Sequence, residues 1–106
     1  MITVLVQFPL PAAMTQDEVK VIFAKAVPSF YNVLGLVRKY FLLSEESRVA
    51  RGVYLWKTRK DAERFYQNGF RQSIVERFGS EPSFTYFESP VIINNLVDEV
   101  SNCEAF

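Results

Sequence analysis

Apolar and polar positions alternate at the start of the chain. Ile2, Val4, Val6 and Phe8 fall on one side of Thr3, Leu5 and Gln7, a period of two that predicts a strand. Pro9 and Pro11 end it, because proline cannot continue a ladder. The period then changes. Thr15-Gln16-Asp17-Glu18 reads as a capping box, and Val19, Ile22, Phe23, Ala26, Val27 and Phe30 follow at helical spacing. Pro28 ends or kinks this helix near Val27. A second strand opens at Gly35 and runs to about Leu43. Residues 44–50 form a polar connection too long for a two-residue hairpin, and a third strand covers 51–58. Ala62, Phe65, Tyr66, Phe70, Ile74 and Phe78 restore the helical period from Arg59 to about Phe78, with a break at Asn68-Gly69 and a stop at Gly79 and Pro82. A fourth strand covers 83–88, and after Pro90 a short extension covers 91–93.

The order β-α-β-β-α-β is the ferredoxin-like pattern, an α+β fold with a four-stranded antiparallel sheet and two helices on one face. It places one domain at residues 1–95 and a C-terminal tail at 96–106. Both faces of the sheet read as apolar. In the second strand, regular alternation puts Val37, Phe41 and Leu43 on one side and Leu36, Tyr40 and Leu42 on the other. Two helices cover only one face, so a second copy is expected to cover the other, giving a homodimer through the sheet faces. The 91–93 extension is expected to pair at the partner's sheet edge.

Composition narrows the chemistry. The chain has 106 residues, of which 49% are hydrophobic and 15% aromatic, a large aromatic load that calls for a pocket or an interface. Twelve basic and twelve acidic residues cancel, which removes the footprint of a nucleic-acid binder and gives no reason to expect a membrane surface. Neither a signal peptide nor a membrane helix is expected. One cysteine, Cys103, precludes an internal disulfide, suits a cytoplasmic, reducing compartment and reads as an incidental free thiol. The absence of histidine excludes a Ser-His-Asp triad, a Cys-His dyad, and His ligation of metal or haem. Acid–base work falls to Asp, Glu, Lys, Tyr, Cys or the substrate.

Gly35-Leu36 opening a strand with Lys39 and Phe41, Gly52-Val53-Tyr54-Leu55-Trp56 on the next, and an Asp-Ala-x-x-Phe helix start at residues 61–65 resemble the dimeric α/β-barrel superfamily of small oxygenases, nearest the YdhR-type monooxygenases. The resemblance spans residues 2–95. It implies a pocket between helices and sheet, and oxidation of an aromatic or polycyclic quinol with no metal or flavin cofactor, the electron-rich substrate anion reducing oxygen directly. Haem-degrading members of that superfamily carry an axial histidine on the second helix. The region around Val75 has none, so haem chemistry is not expected.

On this reading Arg38 and Lys39 are the catalytic candidates, because a cation in mid-strand calls for a reason and can hold a phenolate. A structural ion pair with Glu88 is the plainer alternative. Tyr54 and Trp56 share one side of the third strand and are candidate walls for a small aromatic ligand, with core or dimer interface as the alternative. Phe65 and Tyr66 are candidates for a helix lid, and Gln7 for a hydrogen bond to a substrate oxygen. No metal site is expected. Two other functions fit the same fold: a non-catalytic small-molecule binder, or an isomerase or decarboxylase. The RNA-recognition motif shares the element order, but Val53 and Tyr54 break its strand signature.

Overall fold

The computed structural model describes residues 1–44, 48–95 and 99–102. Its sheet has the order β2-β3-β1-β4, built from β1 (Ile2–Pro9), β2 (Leu36–Leu43), β3 (Val49–Trp56) and β4 (Ser83–Glu88), all antiparallel. Between β1 and β2 lie α1 (Gln16–Ala26) and a tight turn of 3-10 helix (Val27–Phe30). Between β3 and β4 lie α2 (Arg59–Phe65), a wide turn at Tyr66–Phe70 and α3 (Arg71–Phe78), so the second helix is one kinked unit. This is the ferredoxin-like arrangement expected from the sequence.

Local chemistry sets the helix ends. Thr15 Oγ1 accepts from the Glu18 amide at 3.2 Å and Glu18 Oε1 accepts from the Thr15 amide at 3.0 Å, the expected capping box. Pro28 has no amide proton to continue α1, and the chain tightens to a 3-10 turn there. Thr58 belongs to neither β3 nor α2. Its hydroxyl caps α2 by accepting from the Asp61 amide at 3.1 Å, so β3 ends two residues sooner than the sequence reading placed it. β3 also begins at Val49 rather than Arg51, because Val49 and Ala50 pair with Pro9 and Phe8 of β1.

The kink in the second helix comes at Asn68 (φ −98°, ψ 57°) and Gly69 (φ 88°). A positive φ is strained for any residue with a Cβ, so Gly69 is what lets the chain turn and restart as α3.

Two features of the strands differ from the sequence reading. Leu36 and Arg38 pair with consecutive residues Trp56 and Leu55, which leaves Val37 as an extra residue, a β-bulge. The bulge brings Leu36 to the same side as Lys39, Phe41 and Leu43, against the regular alternation that would separate them. The second difference is at the C-terminal end. Residues 91–93 extend to β5 (Val91–Asn94), which pairs with β6 (Glu99–Asn102) of the same chain. Part of the expected tail is therefore a strand. Cys103 lies outside the described residues.

The inner face of the sheet meets the helices through two apolar groups. One gathers Val4, Val6, Tyr54, Trp56, Ala62 and Tyr66, and the other Phe8, Leu10, Val19, Ala50 and Phe78. The outer face keeps large apolar groups in solvent, with Tyr40 52% and Phe87 50% exposed.

Candidate functional site

The inward positions of β3 run Ala50, Gly52, Tyr54, Trp56, from small to large. Where they are large, helix and sheet close into solid core. Where they are small, the two apolar groups fail to meet and a cavity of about 320 Å³ remains, within the range of small-molecule sites. β1 contributes Val6 and Phe8, β2 contributes Lys39 and Phe41, α1 and its 3-10 turn contribute Ile22, Phe23 and Phe30, and the kinked helix contributes Phe65, Asn68, Phe70 and Ile74. Gly52 keeps the floor low. A Cβ there would meet Tyr54 Cε1 at 2.9 Å and Lys39 Cε at 3.6 Å.

Lys39 enters this aromatic chamber from β2. Its Nζ donates to the Tyr54 hydroxyl at 2.7 Å and sits over the rings of Phe30 at 3.6 Å, Phe41 at 3.9 Å and Tyr54 at 4.4 Å. Among the described residues no carboxylate pairs with it, Glu88 included. The rings attract the ammonium, but they do not replace its water. Burial pushes its pKa down to about 7 from the ordinary lysine value. Near neutrality Lys39 is therefore divided between amine and ammonium. Tyr54 is buried, and desolvation drives its phenol pKa upward, so it stays protonated. Its oxygen accepts from Lys39 while its own O–H remains available to a ligand oxygen. The pair can exchange a proton with a bound molecule and hold the anion that results.

Of the residues singled out from sequence, the fold gathers Lys39, Tyr54 and Phe65 at the cavity. Trp56 sits behind it, fully buried, its ring parallel to Tyr54 at 6.1 Å and its Nε1–H donating to the Tyr66 hydroxyl at 3.1 Å. Tyr66 faces a separate cleft with Glu63, Arg71 and Phe84. Arg38 and Gln7 lie on the opposite face of the sheet. Arg38 reaches the Tyr40 hydroxyl at 3.4 Å, and Gln7 Oε1 accepts from Arg51 Nε at 3.0 Å. Alternation along a strand separates Arg38 from Lys39, as it separates Gln7 from Phe8.

Sequence reasoning did not single out Phe30, Phe41, Gly52 and Asn68 as site residues. The signal for Asn68 was present, since an Asn-Gly pair inside a helical run marks a place where backbone leaves the helix and a polar side chain can turn inward. The graded sizes on β3 were the signal for Gly52. Among the described residues no cluster of His, Cys, Asp and Glu could hold a metal, and no helix is long and apolar enough to cross a membrane.

No protein-family model and no curated protein matches the sequence. Solved structures do match the fold. SnoaB, a cofactor-independent oxygenase from Streptomyces nogalater, aligns with a TM-score of 0.62 at 18% identity over 83% of this chain and 91% of its own. A monooxygenase from the gene ActVA-Orf6 of Streptomyces coelicolor, in complex with nanaomycin D, aligns with a TM-score of 0.65 at 14% identity over 88% of this chain and 90% of its own. An MhuD mutant with two manganese protoporphyrin IX molecules bound per active site aligns with a TM-score of 0.68 at 13% identity over 89% and 99%. At these identities the similarity establishes a shared fold.

Proposed function

We propose that the chain is a cofactor-independent monooxygenase for an electron-rich aromatic or polycyclic phenol or quinol, with Lys39 as base and anion stabiliser and Tyr54 as its hydrogen-bonding partner. One observation carries this reading: a lysine amine in contact with a phenol, with no ion pair among the described residues, in a largely apolar cavity rich in phenylalanine. Phe30, Phe41, Phe65 and Phe70 offer flat faces to a planar ring system. The fold similarity to oxygenases, one of them holding nanaomycin D, supports the substrate class. The chain has no histidine, which argues against a His-ligated haem reading despite the similarity to MhuD.

In outline, neutral Lys39 takes a proton from the bound substrate. The resulting anion, held between the Lys39 ammonium and the Tyr54 O–H, is rich enough in electrons to reduce oxygen. Electron transfer to O2 and recombination give a peroxide on the reacting carbon. Loss of water leaves a carbonyl, so that an anthrone-type methylene and O2 become a quinone carbonyl and H2O. The lysine proton returns to the departing hydroxide. Every atom is accounted for without an external reductant. The protein contributes orientation, proton transfer and electrostatic support for the anion.

The test is the pH dependence of kcat/KM for oxygen uptake. The base must be unprotonated, so the rate is expected to rise through a midpoint near pH 7, the value set by burial of Lys39. A profile flat from pH 6 to 9 would remove Lys39 from the role of base. The plainer alternative, a non-catalytic binder of the same ligands, would show saturable binding with no uptake at any pH.

We further propose that a second copy covers the outer face, where Tyr40, Leu42 and Phe87 are exposed. Light scattering is expected to give twice the chain mass. Tyr40→Lys with Phe87→Lys is expected to give the single-chain mass, and a wild-type monomer would count against the idea.

A further inference from the structure

A lysine amine in an apolar cavity is also a nucleophile. We propose that Lys39 is a covalent site, condensing through Nζ with the carbonyl of a planar aromatic aldehyde to form an imine. This inference uses the same pocket as the function proposed above, but it does not depend on oxygenation.

The geometry carries it. Lys39 is half-buried and lines the cavity, and no carboxylate among the described residues holds it as an ammonium salt. The ring faces of Phe30, Phe41 and Tyr54 lie 3.6–4.4 Å from Nζ, so an aromatic aldehyde can place its ring among them with its carbonyl carbon toward the amine. Gly52 leaves the lysine stem clear on the floor side, with Lys39 Cε 3.6 Å from where a Cβ would stand. Tyr54 hydroxyl contacts Nζ at 2.7 Å, which puts a proton donor beside the atom where the new bond forms.

The chemistry balances within these groups. The amine lone pair attacks the carbonyl carbon, and one of the two protons on the nitrogen passes through the Tyr54 hydroxyl to the oxygen, giving a neutral carbinolamine. The carbinolamine hydroxyl then leaves as water, taking the nitrogen's remaining proton by the same route as the C=N bond forms. The product is the imine plus one water, with no oxidation or reduction. Burial that holds Lys39 partly neutral favours the attack. The other four lysines, Lys20, Lys25, Lys57 and Lys60, are exposed and serve as controls within the same molecule.

The experiment incubates the intact protein with 6-methoxy-2-naphthaldehyde near pH 7.5, reduces it with cyanoborohydride, and maps the adduct by mass spectrometry. The expected result is one adduct per chain, on Lys39, at least about ten-fold ahead of each exposed lysine. Tyr54→Phe, which keeps the ring but loses the hydroxyl, is expected to keep that selectivity and to form the adduct roughly ten-fold more slowly. Equal labelling of all five lysines, or labelling that spares Lys39 while circular dichroism shows a folded chain, would overturn the proposal. Oxygen uptake is not read, so failure of the oxygenase reading leaves this result standing, and the reverse also holds.

Discussion

Lys39→Met is expected to abolish turnover, by at least about 100-fold in kcat/KM, while making the fold more stable. The two effects have one cause. General-base and anion-stabilising roles together are worth about 10²–10⁴-fold, and methionine supplies neither. In the folded state, however, the lysine is costly. It is desolvated among rings, and among the described residues no carboxylate offsets that cost, so its pKa falls to about 7. The unfolded chain returns it to about 10.4. Below pH 7 both states hold the proton, and the folded state bears the full penalty. Between about pH 7 and 10 the unfolded state binds more protons than the folded one, so wild-type stability rises with pH. Methionine has a similar length and no charge, and it should recover about 2–3 kcal/mol at neutral pH, allowing for partial solvent access. It should also flatten the rise. Urea unfolding of both proteins at pH 6, 7, 8 and 9 checks both signs. A Met variant less stable than wild type at neutral pH would mean that the ring faces hold the ammonium better than burial penalises it.

Trp56→Ala is expected to cost about 3–5 kcal/mol, the largest single loss of stability in the inner face. Trp56 is fully buried, stacks against Tyr54, and meets Phe65 and Tyr66 edge or tilted at 5.5 and 5.7 Å. Truncation opens a cavity behind Tyr54 and deprives the Tyr66 hydroxyl of its donor. Because a domain of this kind has only about 5–15 kcal/mol in total, the variant should be close to unfolded at elevated temperature. Trp56→Phe, which keeps much of the volume, should lose less than half as much. The denaturant midpoint reads both. A small loss for the alanine variant would show that Tyr54 is supported chiefly by Phe65 and Phe70 across the cavity, not by the indole behind it.

Much of this arrangement was visible in the chain. The change of period from two to 3.6 at Thr15 and again at Arg59 separates strands from helices, and the capping box at Thr15 marks a helix start that is found there. The shared side of Tyr54 and Trp56 on β3 was read correctly, but Ala50, which continues that face, was placed in the connection before the strand. What could not be read was β2. Both of its alternating sets are apolar, so the pattern does not say which faces the helices. The bulge at Val37 moves Leu36 across the expected boundary. A one-residue irregularity changes face for everything on one side of it. The site was legible only in part for the same reason. Lys39 and Arg38 look alike in sequence, and only the partner strand and the small residue at Gly52 decide that Lys39 meets Tyr54 while Arg38 turns toward Tyr40. The hairpin of β5 and β6 escaped because β6, at Glu99–Asn102, is short and mostly polar.

On the proposed function, the pocket around Lys39 and Tyr54 turns an electron-rich aromatic into its own reductant for oxygen. Oxygen consumption by the metal-free protein, with a panel of anthrone- and naphthoquinol-type compounds and both a protein-free blank and Lys39→Met alongside, tests it most directly. Uptake above the blank, with quinone formed in step and lost in the Met variant, is the predicted result. Uptake no greater than the blank across a panel that the protein demonstrably binds would contradict it.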